Sequence, residues 1–205
     1  MTLLALAAIM NASGSAIAGE SAAGKEKMTM DHHHHHEMMT ATATHAVKSL
    51  ARYEVPDVVL KDMNDKPISM REFLGKREPL ILNFIYTSCT SVCPAMTGVF
   101  SQIQTKLGQA VRLVSISIDP EYDTPKRLKS YARSFDVGTN WTMLTGNLND
   151  SVAIQRAFSV YRGDKMDHVA ATFMRVDPDQ PWTRLDGLSS ANELVEEYRR
   201  LAMRQ

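Results

Sequence analysis

The sequence predicts an α/β fold, a central mixed sheet flanked by helices with an extra hairpin at its N-terminal side, and three observations carry that expectation. Two apolar runs rich in β-formers, Leu80 to Tyr86 and Val111 to Ile118, lack the alternation of strands with one wet face, so each is expected to be covered on both faces. A segment of helical length separates them and ends at Gly108, which makes the pair a βαβ unit with parallel strands. Further on, the run Val169 to Val176 and the shorter Trp182 to Leu185 flank the turn Asp177-Pro178-Asp179, which reads as a hairpin and makes the sheet mixed.

The chain has 205 residues, 44% of them hydrophobic, enough for one well-buried domain and a tail rather than two full domains. Lys+Arg and Asp+Glu number 23 each, so the formal net charge is zero. A balanced chain of this kind offers no basic face for nucleic acid and no acidic solvating tail.

Residues 1–18 read as an export signal: an apolar run from Thr2 to Met10, then small residues, then Ala16-Ile17-Ala18 in the pattern of a signal-peptidase site. The run is shorter than the ~20 residues of a membrane-spanning helix. Residues 19–52 read as a flexible linker without core-forming periodicity. Within it His32, His33, His34, His35 and His36 are flanked by Met28, Met30, Met38 and Met39. Imidazole suits Cu(II), and thioether suits Cu(I), so the tract is a candidate for auxiliary metal capture; the alternative is an appended purification tag.

The folded domain is expected over residues 53–205. Glu54 to Leu60 and the turn residues Lys61 to Pro67 suggest an edge hairpin, and Ile68 to Gly75 a short helix stopped by glycine. After the strand at Leu80 to Tyr86, a helix is expected from Cys89 or Thr90 to Leu107. The strand Val111 to Ile118 closes in Asp119-Pro120-Glu121-Tyr122-Asp123, and Thr124 with Pro125 reads as N-cap and first position of a helix to Phe135. Trp141 to Gly146 is a strand and turn, and Asn149-Asp150 caps a helix from Ser151 to Phe158. Ser189 to Glu193 opens the last helix, with Leu194, Tyr198 and Leu201 on one face. This order, with a cysteine pair after the first long parallel strand, is the thioredoxin-like plan.

That pair, Cys89 and Cys93, comprises the only cysteines of the chain. If the helix starts near Cys89, the spacing places both sulfurs on one face, where they can close on one soft metal ion or on each other. A helix N-terminus there is expected to lower both thiol pKa values. The plainer alternative is two buried apolar cysteines that never meet. Of seven histidines, five form the linker block, one is His45, and His168 is the sole imidazole of the folded part.

These stretches together resemble the Sco/SenC proteins, copper-binding thioredoxin-like assembly factors for cytochrome c oxidase. The matching segments are Cys89-x-x-x-Cys93-Pro94 after the first long strand, Ile116 to Pro125, Trp141 with Leu144-Thr145-Gly146, and Asp167-His168 before a strand ending in Asp177-Pro178. The resemblance implies one copper ion, Cu(I) or Cu(II), held by Cys89, Cys93 and His168. From their places in the sequence, Asp167 is read as a residue supporting the histidine, and Asp119 as either a supporting residue or a builder of the turn. Asp123 is assigned to building the turn. The implied partner is a copper-receiving oxidase subunit with a CuA-type site, alongside other periplasmic copper chaperones or thiol-disulfide reductases. The implied location is exported or periplasmic, soluble or membrane-associated, in a bacterium. The donor chemistry agrees: two thiolates favour Cu(I), and an added imidazole extends the set to Cu(II), whereas structural zinc takes four protein ligands. The reading is a metallochaperone. Its competitor is an enzyme, a thiol-disulfide oxidoreductase using Cys89 and Cys93 as the redox pair, for which His168 is dispensable.

Overall fold

The computed structural model describes residues 46–204, and the signal and His/Met tract expected from sequence lie outside them. The strands are β1 (Val47–Ala51), β2 (Val59–Asp62), β3 (Pro67–Ser69), β4 (Leu80–Ile85), β5 (Arg112–Ser117), β6 (Trp141–Thr145), β7 (Ala171–Arg175) and β8 (Trp182–Asp186). The α-helices are α1 (Met70–Leu74), α2 (Val92–Leu107), α3 (Pro125–Arg133), α4 (Leu148–Ala157) and α5 (Ala191–Ala202). They build one mixed sheet in the order β1-β8-β7-β4-β5-β6-β2-β3. Strands β4, β5 and β6 run parallel, and β7 lies antiparallel to β4 on its other side.

Every residue of β4 is buried, which is what its unbroken apolar run requires of a central strand covered on both faces. Side chains alternate along it. Register aligns Ile81, Leu113 and Trp141 on one face, where Phe100 of α2 meets Trp141 at 5.7 Å between ring centroids. Phe84 points to the opposite face, against Phe158 just beyond α4 (5.7 Å) and Phe173 of β7 (5.9 Å). The two parallel strands and β7 therefore fix which chain segments share one end of the sheet. Residues following β4 and β5, and those preceding β7, emerge there together.

The edges differ from the sequence expectation in instructive ways. The linker was expected to run to residue 52, yet Val47–Ala51 pairs antiparallel with β8 as an edge strand. Four of its five residues are exposed, so no buried alternation marks it in the sequence. The expected hairpin is β2 with β3, and it joins the sheet against β6. Helix α4 starts at Leu148, earlier than expected, because the cap is Asn147: its side chain accepts from the Asp150 N–H at 2.9 Å. Asn149 and Asp150 thus fall inside the first turn, where an acidic residue is favoured by the helix dipole.

Helix α2 starts at Val92, with Ser91 as N-cap, and not at Cys89 or Thr90. Pro94 explains this. A start at Cys89 would put proline in the second turn, where its missing N–H breaks the helical ladder; a start at Val92 puts it third, among N–H groups that have no intrahelical partner. Thr124 with Pro125 starts α3 as expected, the Thr124 hydroxyl accepting from the Arg127 N–H. Ser190 and Glu193 form a reciprocal capping box on α5.

Candidate metal centre

Because α2 begins late, Cys89 stands in the loop between β4 and α2 and Cys93 in the helix's first turn. The loop is folded back by a bond from the Cys89 N–H to the Tyr86 carbonyl (3.2 Å). Ser91 offers no side-chain cap and the first turn holds no acidic residue. Its N–H groups turn instead to sulfur: Cys89 Sγ accepts from the Cys93 N–H at 3.5 Å. The two cysteines thus meet across the helix start, not one turn apart on a helix face.

This geometry splits their acidities. Burial raises the Cys89 thiol, but hydrogen bonds from the backbone N–H groups of Cys93 and Ser91, and from the Cys93 and Tyr86 side chains, outweigh it and hold the thiol below its ordinary value. Cys93 goes the other way. Burial, reinforced by the hydrogen bond and charge of Cys89 and by the charge of Asp123, pushes it up to about 12 despite a backbone hydrogen bond from Tyr86. The expectation that both thiols are acidified holds only for Cys89. The reduced pair is best described as a thiolate-prone outer sulfur and a protonated inner one sharing a hydrogen bond.

Asp123, assigned from sequence to the turn, reaches the site. It is fully buried and accepts from Ser117 Oγ (2.6 Å), the Thr87 N–H (3.1 Å) and Thr87 Oγ1 (2.5 Å). It therefore ties the loop carrying Cys89 to the end of β5. Burial raises its pKa in spite of these bonds. The signal in the sequence was topological: two parallel strands end at one edge of the sheet, so the turns after each are neighbours.

His168 follows a short 3-10 turn, Lys165–Asp167, and precedes β7. Its Nε2 lies 2.9 Å from the Phe84 carbonyl. A carbonyl only accepts, so Nε2 carries the proton and Nδ1 keeps its lone pair. Nδ1 is buried and has no partner. Burial lowers the imidazole pKa, so the ring is held neutral, the form that binds metals. Tyr86 links the two parts: its ring meets His168 edge-on at 6.4 Å, and its side chain helps hold the Cys89 thiol below its ordinary value. As the side chains stand, no three His, Cys, Asp or Glu residues among those described converge closely enough to hold an ion. Cys89 and Cys93 are together; His168 is adjacent, turned onto Phe84.

The two supporting aspartates take other places. Asp119 pairs with Lys165 (2.6 Å) and pins the segment leading to His168 onto the turn after β5. Asp167 is exposed, and Nδ1 of His168 receives no bond from it. Beside His168 opens a cleft of about 360 Å³, lined also by Asp119, Gln155, Tyr161 and Lys165; neither cysteine lines it.

Comparison with known proteins brings these features together. Residues 46–203 match the SCO1/SenC family model. The chain is 34% identical over 112 residues to the SCO1 protein homolog of Bacillus subtilis, covering 53% of this chain and 57% of that protein. It is 32% identical over 110 residues to a protein of Stutzerimonas stutzeri named as copper-binding, covering 52% of each. The matched segment thus spans little more than half the length of these relatives. Among solved structures, BsSco, described as a member of the Sco family of cytochrome c oxidase assembly proteins with a disulfide switch, superposes with a TM-score of 0.63 at 26% identity, covering 78% of this chain and 99% of that one. Bradyrhizobium japonicum ScoI with copper bound gives 0.58 at 26% identity, covering 76% and 99%. The fold these share with the present chain is thioredoxin-like.

Proposed function

We propose that this chain, which belongs to the SCO1/SenC family, is a copper metallochaperone: it carries one copper ion on Cys89, Cys93 and His168 and passes it by ligand exchange to a CuA-type site of cytochrome c oxidase. The observation that carries the reading is the donor set at one end of the sheet. The Cys89 sulfur accepts from the Cys93 N–H at the start of α2, and a buried imidazole lone pair on the segment that enters β7 has nothing to bind. An unpaired buried acceptor costs about 1–3 kcal/mol, a cost that a metal bond would remove.

Each residue has a task. Cys89, already held toward thiolate by two backbone N–H groups, is the first of the two thiols to meet the ion. Cys93 gives up its proton as the ion arrives, since a cation beside a thiol replaces the proton that burial retains. The Phe84 carbonyl fixes the His168 tautomer so that Nδ1 is the coordinating atom. Closing the set requires the Lys165–Asp167 turn to shift and carry Nδ1 to the sulfurs. Two thiolates suffice for Cu(I), and the imidazole adds the harder donor that Cu(II) needs. His32 to His36 would gather metal ahead of the site. Delivery implies an exported chain facing an oxidase subunit, with other periplasmic copper chaperones or thiol reductases as further partners. Among the described residues no helix is long and apolar enough to cross a membrane.

A second reading, thiol-disulfide exchange, is favoured by the split acidity of the pair. Cys89 thiolate attacks a substrate disulfide, Cys93 resolves the mixed disulfide, and the substrate leaves as a dithiol while Cys89–Cys93 becomes the disulfide. His168→Ala separates the two. For delivery, the variant is expected to retain Cu(I), lose stable Cu(II) and fail to restore oxidase activity in a complementation assay, while reducing a test disulfide normally. Normal oxidase assembly by this variant would place the exchange reading first.

A further inference from the structure

Met166 occupies an unusual position for a surface methionine. It sits in the 3-10 turn two residues before His168 and is 72% exposed. The turn that presents it is fastened at both sides, by the Asp164 carboxylate accepting from the Met166 N–H (2.9 Å) and by the Lys165–Asp119 pair (2.6 Å). Its sulfur is not idle: the Tyr86 hydroxyl donates to Met166 Sδ at 3.8 Å. The same side chain is among the groups that hold the Cys89 thiol below its ordinary value. That hydroxyl carries one proton, which serves either the exposed thioether or the outer thiol. Accessibility falls in the same order, from Met166 at 72% to Cys89 at 9% and Cys93 at 0%.

Resting on the copper reading above, we propose that Met166 is a transient thioether ligand that takes Cu(I) at the mouth of the site during loading and release. The donor type fits: a thioether is soft and neutral, and Cu(I) is a soft cation that thioethers and thiolates both select. In loading, the bond from copper to Met166 Sδ breaks as bonds to Cys89 Sγ and then Cys93 Sγ form. The thiol protons pass to water, and copper stays Cu(I) throughout. In release the order reverses. Exchanging one thiolate for a thioether removes a negative charge from the complex and weakens its hold on the cation, as hand-over requires. Tyr86 holds Met166 Sδ through its hydroxyl when no metal is present.

The test uses the full, reduced chain labelled with methyl-¹³C methionine and titrated with Ag(I), a redox-silent ion of the same softness. Met166→Leu identifies the Met166 methyl resonance, and at so exposed a position leucine leaves the fold intact. The expected result is movement of that resonance within the first equivalent of Ag(I). Met166→Leu is also expected to slow Cu(I) transfer to a colorimetric chelator by about tenfold, the rate equivalent of one weak ligand, with equilibrium affinity nearly unchanged. If the cysteines take up the first equivalent while the Met166 methyl stays still, and Met166→Leu transfers copper at the wild-type rate, the Met166 proposal is overturned and the copper reading stands. If the wild-type chain takes up neither ion through its cysteines, both fall.

Discussion

Replacing Asp123 by alanine is expected to destabilise the reduced, metal-free domain by about 3 kcal/mol. The carboxylate is fully buried and collects three hydrogen bonds, from Ser117 Oγ and from the N–H and hydroxyl of Thr87. Hydrogen bonds to a charged group contribute about 1.5–3 kcal/mol each, and a buried donor left alone costs about 1–3 kcal/mol. Burial nonetheless wins at this residue and raises its pKa, so the lower end of each range applies. Thr87 is only half-buried and can turn to water, whereas Ser117 is 1% exposed and cannot. In a domain of this size ~3 kcal/mol lowers the melting temperature by about 6–12 °C, read by thermal unfolding. Asp123→Asn keeps one acceptor oxygen and should lose about half as much. The pH dependence has a definite sign. A carboxylate whose folded pKa lies above its unfolded 3.8 binds its proton more tightly when folded, so its ionisation penalty enters as pH rises past 3.8. The gap between wild type and Asp123→Asn should therefore narrow as pH rises through that window. Removing the charge should also lower the Cys93 pKa, which Asp123 helps raise. A loss below ~1 kcal/mol in Asp123→Ala would refute the claim that this carboxylate ties the cysteine loop to β5.

Two further outcomes follow from the same site. Cys89 is expected to react with iodoacetamide at a pH midpoint below 9, while Cys93 stays largely unmodified until about 12; mass-spectrometric mapping of the labelled sulfurs checks this, and equal rates would contradict the split pair. His168 is held neutral by burial, so the folded state resists its protonation, and stability present above pH 6.5 should drain away as pH falls below it. Thermal unfolding of His168→Gln between pH 7 and 5 should show a shallower decline than wild type, and parallel curves would contradict a buried neutral imidazole.

How much of this was legible beforehand depends on the kind of signal. The buried strands β4 and β5 announced themselves by unbroken apolar runs, and their parallel pairing followed from the helix between them. Caps such as Thr124-Pro125 and Ser190 with Glu193 carry their own chemistry and were readable locally. Edge strand β1 was not, because its side chains face water and its stability comes from backbone pairing with β8, far along the chain. At the site, the residue types of Cys89, Cys93 and His168 and their common end of the sheet were foreseeable. The late start of α2 was readable in Pro94 but hidden behind the attractive spacing of the cysteines. The opposite acidities of the two thiols depend on which sulfur the backbone N–H groups reach, and the roles of Asp123, Tyr86 and Met166 depend on contacts across 36 and 80 residues of chain. No local pattern encodes such contacts.

The most direct test of the central claim is copper analysis with visible absorption of the reduced chain after weakly bound metal is stripped by a mild chelator. Copper binding through the pair predicts one copper per chain, with thiolate-to-Cu(II) charge-transfer absorption that disappears in both Cys89→Ala and Cys93→Ala. An unchanged spectrum and stoichiometry in either variant would contradict it.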